Sequence, residues 1–247
     1  MKIINLKYSA LSDVGCVRSD NEDMAYVAGR LIRDSGCSGD LKYDSTDTIA
    51  FAVADGMGGC EGGEVASEIV CRSFASFVKT GLPGKDTDAI TALKEWAIAA
   101  NRLILDTAGL RPDLAEMATT FTGLLFAHGH LWLINIGDSR CYRIRGGILK
   151  QLSVDHSERE RTKNSAIPSN LIYNYMGNTP SEFTSDVSEL YCLEGDSYLL
   201  CSDGLSDLVP DDIIESNSDD IQTLVDLAKA AGGRDNITII IITYDIY

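Results

Sequence analysis

Four aspartates stand at the ends of apolar, strand-like runs in this sequence of 247 residues. Asp55 ends "IAFAVAD", Asp138 ends "LWLINIGD", Asp203 ends "YLLCSD" and Asp235 begins "DNITIIIIT". A carboxylate at the edge of a buried strand is costly unless it is paired or binds a metal ion. A single Asp-Gly pair is more simply explained as a turn, but four such edges favour one shared cluster. Because all of these ligands would be carboxylate oxygens, the cluster suits Mg²⁺ or Mn²⁺ better than zinc.

A charged segment, "DVGCVRSDNEDM", lies just before the second predicted strand. Arg18 offers the planar fork of donors that suits a phosphate group, and Glu22 is placed to hold a metal-bound water. Taken alone, the segment is more simply an exposed charged turn. The only histidines are His128, His130 and His156, so the sequence offers no histidine-rich metal site.

A glycine-rich loop, "GMGGCEGGE", follows Asp55 and has two interpretations. It is either a phosphate cradle in a nucleotide-binding protein or a turn that leads into a helix from Glu64. The loop lacks the Gly-Lys-Ser/Thr ending of a phosphate-binding loop, and a GxGxxG pattern alone is weak. The second interpretation is therefore favoured.

Composition excludes several classes of function. The chain is 45% hydrophobic and 23% charged, with a formal net charge of −16 and a pI of about 4.5. An acidic chain of this kind argues against nucleic acid or an anionic membrane as the main partner. Seven scattered cysteines without a C-x-x-C pair, and no apparent secretory signal or membrane-spanning run, favour a reducing cytoplasm.

Predicted strands and two predicted helices must position these residues. Strand-like runs open the chain, and the polar, turn-rich stretch at 33–48 indicates a surface loop. From Glu64 the apolar residues take up helical spacing, and a second helix is predicted from about Asp86 to Ala108. The buried side of that second helix is predicted to consist of Ala89, Leu93, Trp96, Ala100, Leu103 and Ile104.

Strands return after the helices, joined by hairpin turns at residues 128–130 and 146–147. Residues 156–182 show no clear period. Helical stretches near 210–216 and 219–231 precede a last strand, whose run "ITIIIIT" lacks the alternation of a half-exposed strand. Blocks of strands with helices set between them predict sheets that pack against each other and are covered by helices.

Five segments in order resemble the metal-dependent protein phosphatases, the type 2C serine/threonine phosphatases, in their compact bacterial form. The resemblance implies an α+β fold, a four-layer α-β-β-α sandwich of two mostly antiparallel sheets flanked by helices. It also implies that residues 1–247 form a single phosphatase catalytic domain. The five segments are "SDVGCVRSDNED" (12–23), "VADGMGGCEGGEVAS" (53–67), "ATTFTGLLFAHGHLWLINIGDSRCYRIRGGILKQLSVDHS" (118–157), "DSYLLCSDGLSDLV" (196–209) and "GGRDNITIIII" (232–242).

The resemblance implies a metal centre at one edge of the sandwich, with Asp55 bridging two Mg²⁺ or Mn²⁺ ions. The backbone carbonyl of Gly56 would be a further ligand, and Asp138 would bind a weaker third ion. Arg18 would hold the substrate phosphate. The other implied ligands are Glu22 through water, Asp23, Asp203 and Asp235. Two such ions share a water and lower its pKa, so that hydroxide attacks the phosphorus of phosphoserine or phosphothreonine in a protein.

The sequence departs from the family at several positions. Met57 replaces the histidine that animal members carry two residues after the bridging aspartate, which leaves the proton donor open, with a metal-bound water as the first candidate. Cys60 stands where bacterial relatives often have histidine. The segment at 157–182 is short and lacks the family's flap arginine, and "NLIYNYMG" (170–177) stands in its place. Substrate choice is therefore the part of the resemblance that transfers least well.

The predicted partners are phosphorylated proteins, including substrates of a cognate serine/threonine kinase, and the chain is expected to be a monomer. One alternative is an inactive phosphatase-fold scaffold that binds phosphoproteins. The presence of Asp55, Asp203 and Asp235 disfavours it. Another alternative is a phosphatase of a different regulatory phosphoprotein or of a small metabolite.

Overall fold

Two antiparallel sheets lie face to face in the computed structural model, which describes residues 4–44, 47–57, 62–82 and 86–246 and only the backbone of 86–88. In chain order, the strands within these ranges are β1 (Ile4–Asp13), β2 (Met24–Val27), β3 (Arg30–Ile32), β4 (Gly36–Tyr43), β5 (Thr48–Ala54), β6 (Gly56–Met57), β7 (Ala118–Thr119), β8 (Phe121–Ala127), β9 (His130–Ile136), β10 (Arg140–Arg145), β11 (Ile148–Gln151), β12 (Asp186–Leu190), β13 (Asp196–Cys201) and β14 (Ile237–Ile246). One sheet has the order β11-β10-β13-β14-β1-β4 and the other β12-β9-β8-β5-β2-β3, while β6 pairs with β7.

Helices cover the outer face of each sheet. The α-helices of the described residues are α1 (Gly63–Thr80), α2 (Asp86–Leu110), α3 (Glu158–Thr162), α4 (Asp203–Ser206), α5 (Asp211–Ser216) and α6 (Ile221–Ala230). On one side, Phe74 of α1 packs against Trp96 of α2 and Phe121 of β8, with ring centroids 4.9 and 5.0 Å from that of Phe74. On the other side, α4, α5 and α6 bury Leu205, Ile214 and Leu224 in one cluster with β13 and β14. The predicted four-layer α-β-β-α sandwich is confirmed.

Strand β14 lies between β13 and β1 and shows why its sequence does not alternate. Its first six residues, from Ile237 to Ile242, are all buried. Ile240 and Ile242 face the other sheet, and Ile239 and Ile241 face the helices. A strand with apolar layers on both sides needs apolar side chains on both faces, as predicted from the run "ITIIIIT".

The antiparallel register brings distant parts of the chain to one edge of the sandwich. In the first sheet, Asp13 at the end of β1 pairs with Ile237 at the start of β14, and Cys201 at the end of β13 pairs with Ile239. In the second sheet, Met24 at the start of β2 pairs with Ala54. The residues that follow or precede these strand ends therefore meet, although they are far apart in sequence.

Two sequence predictions about local structure are wrong. Residues 33–48 do not form only a loop, because they contain strand β4, which pairs with β1 from Leu11↔Gly36 to Ile4↔Tyr43. This strand is at the edge of its sheet and exposes alternate side chains to solvent, so polar residues are tolerated there. Leu103 is 47% exposed and does not belong to the buried side of α2. The five other residues predicted for that side are buried.

In the described residues, no helix combines the length and the hydropathy that crossing a bilayer requires. The prediction about Cys60 lies outside the described residues.

Candidate metal and phosphate site

A cavity of about 400 Å³ opens at the edge of the sandwich where the strand ends meet. All four strand-end aspartates of the sequence prediction line it. The described lining consists of Arg18, Ser19, Asp20, Glu22, Asp55, Gly56, Met57, Thr120, Asp138, Asn170, Ile172, Asp203 and Asp235. Seven of the eight predicted site residues therefore line the cavity, and the eighth, Asp23, is fully buried next to Asp55.

The backbone of Asp55 is fixed by two threonines. Its N–H donates to Thr120 Oγ1 at 3.0 Å, and its carbonyl accepts from Thr120 N at 2.9 Å and from Thr119 Oγ1 at 2.8 Å. Thr120 Oγ1 is in turn 2.7 Å from the hydroxyl of Ser139, which is buried. Because the backbone groups are satisfied by neighbours, the carboxylate of Asp55 is the group left to face the cavity.

Gly56 lies where three segments come into close contact. A Cβ at this position would lie 2.3 Å from the carbonyl oxygen of Gly63 and 2.5 Å from that of Glu22. Both distances are far below van der Waals contact, so only glycine fits here without moving the backbone. The glycine thereby allows the start of α1 and the segment carrying Glu22 to lie directly against the end of β5.

The carboxylate of Asp23 is buried beneath the cavity and only half satisfied. Ser202 Oγ donates to its Oδ2 at 2.8 Å, but its Oδ1 has no hydrogen-bond partner among the described residues. Burial is the main cause that raises the pKa of Asp23, to about 6. An unpartnered buried carboxylate oxygen needs an explanation, and a bound cation is one that this site can provide.

Four of the carboxylates that line the cavity carry a high electrostatic cost. Burial, followed by repulsion from neighbouring aspartates, raises the pKa values of Asp55 and Asp203 well above the ordinary value. Burial also raises the pKa of Glu22, and it raises that of Asp138 to about 7. Like-charged groups in a desolvated cluster disfavour ionisation, and a divalent cation between them would remove that cost.

Arg18 lies at the cavity wall and already contacts one predicted ligand. Its Nη2 donates to Asp235 Oδ2 at 2.8 Å, and its side chain is half exposed. This hydrogen bond is the largest cause that raises the pKa of Arg18. The position is compatible with the predicted contact to a phosphate, because a guanidinium that binds with one edge keeps other donors available.

Asn236 is a positioning residue that the sequence reasoning missed. Its Oδ1 accepts from Glu22 N at 2.8 Å, and its Nδ2 donates to the carbonyls of Val14 and Asp20 at 3.0 Å each. Buried at the start of β14, it fastens the segment that carries Arg18 and Glu22 to the strand edge. The one signal in the sequence was its position directly after Asp235. An asparagine just before a buried strand can use its side-chain amide to hydrogen-bond the backbone of neighbouring segments.

The segment "NLIYNYMG" (170–177), which replaces the family's flap stretch, forms part of the cavity wall through Asn170 and Ile172. Two isolated β-bridges hold it: Ile172 pairs with Ser157, and Met176 with Thr119. Between them, the buried Asn174 Nδ2 lies 2.6 Å from His156 Nδ1. The segment is thus a fixed part of the wall, and it brings no arginine to it.

The residues present fit a pair of divalent cations in their chemistry. The donors are oxygens, the cluster carries uncompensated negative charge, and Asp23 has an orphan oxygen. In the described ranges, no three acidic, imidazole or thiol side chains already surround one point in ligand geometry.

Comparison with known proteins agrees with this fold. The family model for Protein phosphatase 2C matches residues 29–235, so the chain belongs to the protein phosphatase 2C family. It is 35% identical over 260 aligned residues to the serine/threonine protein phosphatase PstP of Mycobacterium tuberculosis, covering 96% of this chain and 44% of that protein. It is 29% identical to the serine/threonine phosphatase stp of Listeria monocytogenes, covering 88% of this chain and 93% of that protein.

Solved structures show the same architecture. The crystal structure of the M. tuberculosis phosphatase PstP/Ppp aligns with a TM-score of 0.80 at 31% identity, covering 98% of this chain and 99% of that one. The catalytic domain of PstP in complex with two manganese ions aligns with a TM-score of 0.79 at 32% identity, with the same coverage. This chain spans less than half the length of the mycobacterial curated relatives, although it spans nearly all of the Listeria protein.

Proposed function

We propose that this chain hydrolyses phosphoserine and phosphothreonine in proteins with the help of two Mg²⁺ or Mn²⁺ ions. The observation that carries the proposal is the convergence of Asp55, Asp138, Asp203 and Asp235 with Glu22 on one cavity. Membership of the protein phosphatase 2C family supports the reaction class, and the PstP complex with two manganese ions supports the metal requirement.

The ligand set in this proposal is that of the sequence prediction. Asp55 would hold both ions, the carbonyl of Gly56 would be a further ligand, and Asp138 would hold a weaker third ion. When bound, the two ions would activate a water and offset charge on the phosphoryl group. The remaining carboxylates that would hold the ions are Glu22, Asp23, Asp203 and Asp235.

The chain's own residues orient the reaction. Arg18 directs its guanidinium at the phosphoryl oxygens, which suit its planar fork of donors. Thr119 and Thr120 fix the backbone of Asp55, and Asn236 fixes that of Glu22. A site whose ligands are held before substrate arrives loses little free energy to reorganisation during the reaction.

A proton must reach the oxygen that leaves the phosphorus. Met57 lies on the cavity wall where it cannot supply one, and no histidine, cysteine, tyrosine or lysine is part of the described lining. His156 is buried and bonded elsewhere, to Gly137, Asn174 and Asp186. We therefore assign the proton to water at the site.

A panel of phosphopeptides tests the proposal. Matched peptides with phosphothreonine, phosphoserine or phosphotyrosine are incubated with Mg²⁺, with Mn²⁺ and with EDTA, and released phosphate is measured. Metal-dependent release from the first two and none from phosphotyrosine is the expected result. Release from no peptide, with metal bound, would instead indicate a phosphoprotein-binding scaffold. Turnover of small phosphate esters only would indicate a metabolite phosphatase.

A further inference from the structure

A second, larger cavity of about 650 Å³ adjoins the candidate site and is rich in arginine. It shares Arg18, Asn170, Asp203 and Asp235 with the first cavity, so the two are continuous. Four guanidinium groups line it, from Arg18, Arg140, Arg159 and Arg234, and we call it the arginine groove. In a chain with a net charge of −16, four guanidinium groups beside the site are a local concentration of positive groups.

Two of the four arginines are committed to partners within the protein. Arg140 makes a bidentate contact with Asp155, with Nη2 to Oδ2 at 2.7 Å and Nε to Oδ1 at 3.1 Å, and its Nη1 donates to the hydroxyl of Tyr142. Arg18 contacts Asp235. The positive charges of these two side chains are therefore largely balanced by carboxylates of the protein itself.

The other two arginines have exposed charge. Arg159, in the first turn of α3, donates Nε to the carbonyl of Ile167 at 2.7 Å, and no carboxylate within the described ranges pairs with it. Arg234 has neither a hydrogen bond nor an ion pair in the part of the chain that the structure describes. Both residues are exposed, so their terminal amino groups are available to a ligand that lies in the groove.

The acidic residues of the groove lie mostly at the candidate metal site. Asp203 and Asp235 belong to that site, and Asp235 pairs with Arg18. Asp207 at the end of α4 is the remaining acid, and one of its oxygens accepts from Ser169 Oγ at 2.6 Å. Arg159 and Arg234 therefore share the groove with Asp203 and Asp207, and the groove gains an excess of positive charge when cations at the neighbouring site offset Asp203.

We propose that the arginine groove binds acidic side chains that flank the phosphorylated residue of a protein substrate. The groove opens directly from the candidate site, so a peptide whose phosphate lies near Arg18 places its neighbouring residues there. Carboxylates are the peptide groups that match guanidinium forks in shape and charge. The proposal rests on the proposed function. It predicts a preference that the net charge of −16 would not, because an acidic protein as a whole repels acidic peptides.

Three phosphothreonine peptides test the groove: one with three glutamates before the phosphothreonine, one with three after it, and one with alanines on both sides. The quantity compared is the ratio of kcat/KM for each glutamate peptide to that for the alanine peptide. For one of the two glutamate peptides, we expect kcat/KM at low salt to be about fivefold that for the alanine peptide, because each exposed ion pair contributes modestly. This ratio should fall towards one as salt screens the charges.

The double variant Arg159→Gln/Arg234→Gln is expected to bring that ratio close to one. Because the ratio is taken within a single variant, a general loss of activity cancels. The matched control is Arg161→Gln, which removes one charge from the same helix at a residue that pairs with Glu158 and does not line the groove. A wild-type preference for the alanine peptide, or a ratio that survives the double substitution, would overturn the proposal.

Fluorescence anisotropy with labelled versions of the same peptides separates the groove from the catalytic assignment. If no peptide is hydrolysed with Mg²⁺ or Mn²⁺, the proposed function fails and binding alone decides. Tighter binding of a glutamate peptide that the double variant loses supports the groove, whereas equal affinity for the glutamate and alanine peptides overturns it.

Discussion

Strand β13 has an aspartate at each end, and the two carboxylates lie in opposite electrostatic surroundings. At its start, the side chain of Asp196 is completely buried, and its oxygens accept from Arg145 Nε and Nη2 at 2.7 Å each and from Leu193 N at 2.7 Å. Just beyond its other end, Asp203 lies among further carboxylates on the cavity wall. The same residue type in the same strand context is neutralised within the protein at one end and left uncompensated at the other.

The pKa values follow this difference. Burial alone would raise the pKa of Asp196, but the hydrogen bonds from Arg145 and Leu193 and the charge of Arg145 outweigh it, so its pKa lies below the ordinary value. Burial and the neighbouring aspartates raise the pKa of Asp203 well above that value. A buried carboxylate with its partners in place keeps its charge, and removing one partner is destabilising, whereas a buried cluster without partners carries a cost that a ligand can relieve. We use this contrast to separate structural carboxylates from those of the proposed site.

The largest effect is expected for Asp203→Asn, which removes a ligand charge and almost no volume. We expect kcat/KM for a phosphothreonine peptide with Mn²⁺ to fall by about 100-fold or more, the scale of losing one key electrostatic group in an active site. In EDTA, the urea midpoint should be unchanged or slightly higher, because the variant relieves repulsion within the cluster. Activity near that of wild type would remove Asp203 from the metal site.

Arg18→Ala tests the same contrast by removing a cation, because Arg18 contacts Asp235, a carboxylate of the site, directly. We expect kcat/KM for phosphopeptides to fall by about tenfold or more, mainly through KM, as one charge-assisted hydrogen bond is lost. The stabilisation by Mn²⁺, measured as a shift in Tm, should change little. An unchanged KM together with an unchanged kcat would contradict the assignment of Arg18 to the phosphate.

Asp196→Asn is the matched substitution at the other end of β13. It leaves the guanidinium of Arg145 and the amide of Leu193 facing a neutral amide, so we expect the free energy of unfolding to fall by about 2 kcal/mol. Urea denaturation followed by circular dichroism measures the change. The activity of the folded fraction should stay close to that of wild type. A loss of activity without a loss of stability would show that Asp196 contributes to the proposed site, which contradicts its assignment as a structural carboxylate.

The pH dependence of that stability difference follows from the lowered pKa of Asp196. A carboxyl with a lowered pKa in the folded state stabilises the protein above its unfolded pKa, about 3.9, and the contribution is lost as pH falls through the folded pKa. The gap in unfolding free energy between wild type and Asp196→Asn should therefore be constant near neutral pH and shrink below about pH 4. A gap that widens on acidification would be inconsistent with an ionised, stabilising Asp196.

The smallest effect is expected at an exposed pair. Arg102 and Asp106 on α2 lie 3.7 Å apart with side chains that are 80% and 66% exposed. Arg102→Gln should change the free energy of unfolding by less than about 0.5 kcal/mol, because water screens such pairs. A larger change, measured by the same urea titration, would mean that exposure does not separate the strong ion pairs from the weak ones in this protein.

Much of the fold and of the candidate site was predictable from local pattern. The unalternating run of β14 predicted its burial on both faces, and the four strand-end aspartates predicted a shared cluster. Strand β4 was missed, because an edge strand with polar residues and two glycines has the composition of a loop. Asn236 was missed because its contacts are to backbone groups more than two hundred residues away in sequence.

The sequence alone determined that aspartates stand at the ends of core strands, and in an order typical of one phosphatase family. Residue type and position at a strand end do not by themselves explain why Asp203 and not Asp196 belongs to the predicted site; the resemblance alone made that choice. The tertiary structure supplies the physical reason, because it brings Arg145, 51 residues away, to Asp196 and carboxylates from other strand ends to Asp203. The charge state and role of a buried carboxyl depend on which groups surround it, and folding sets those surroundings across the sheets.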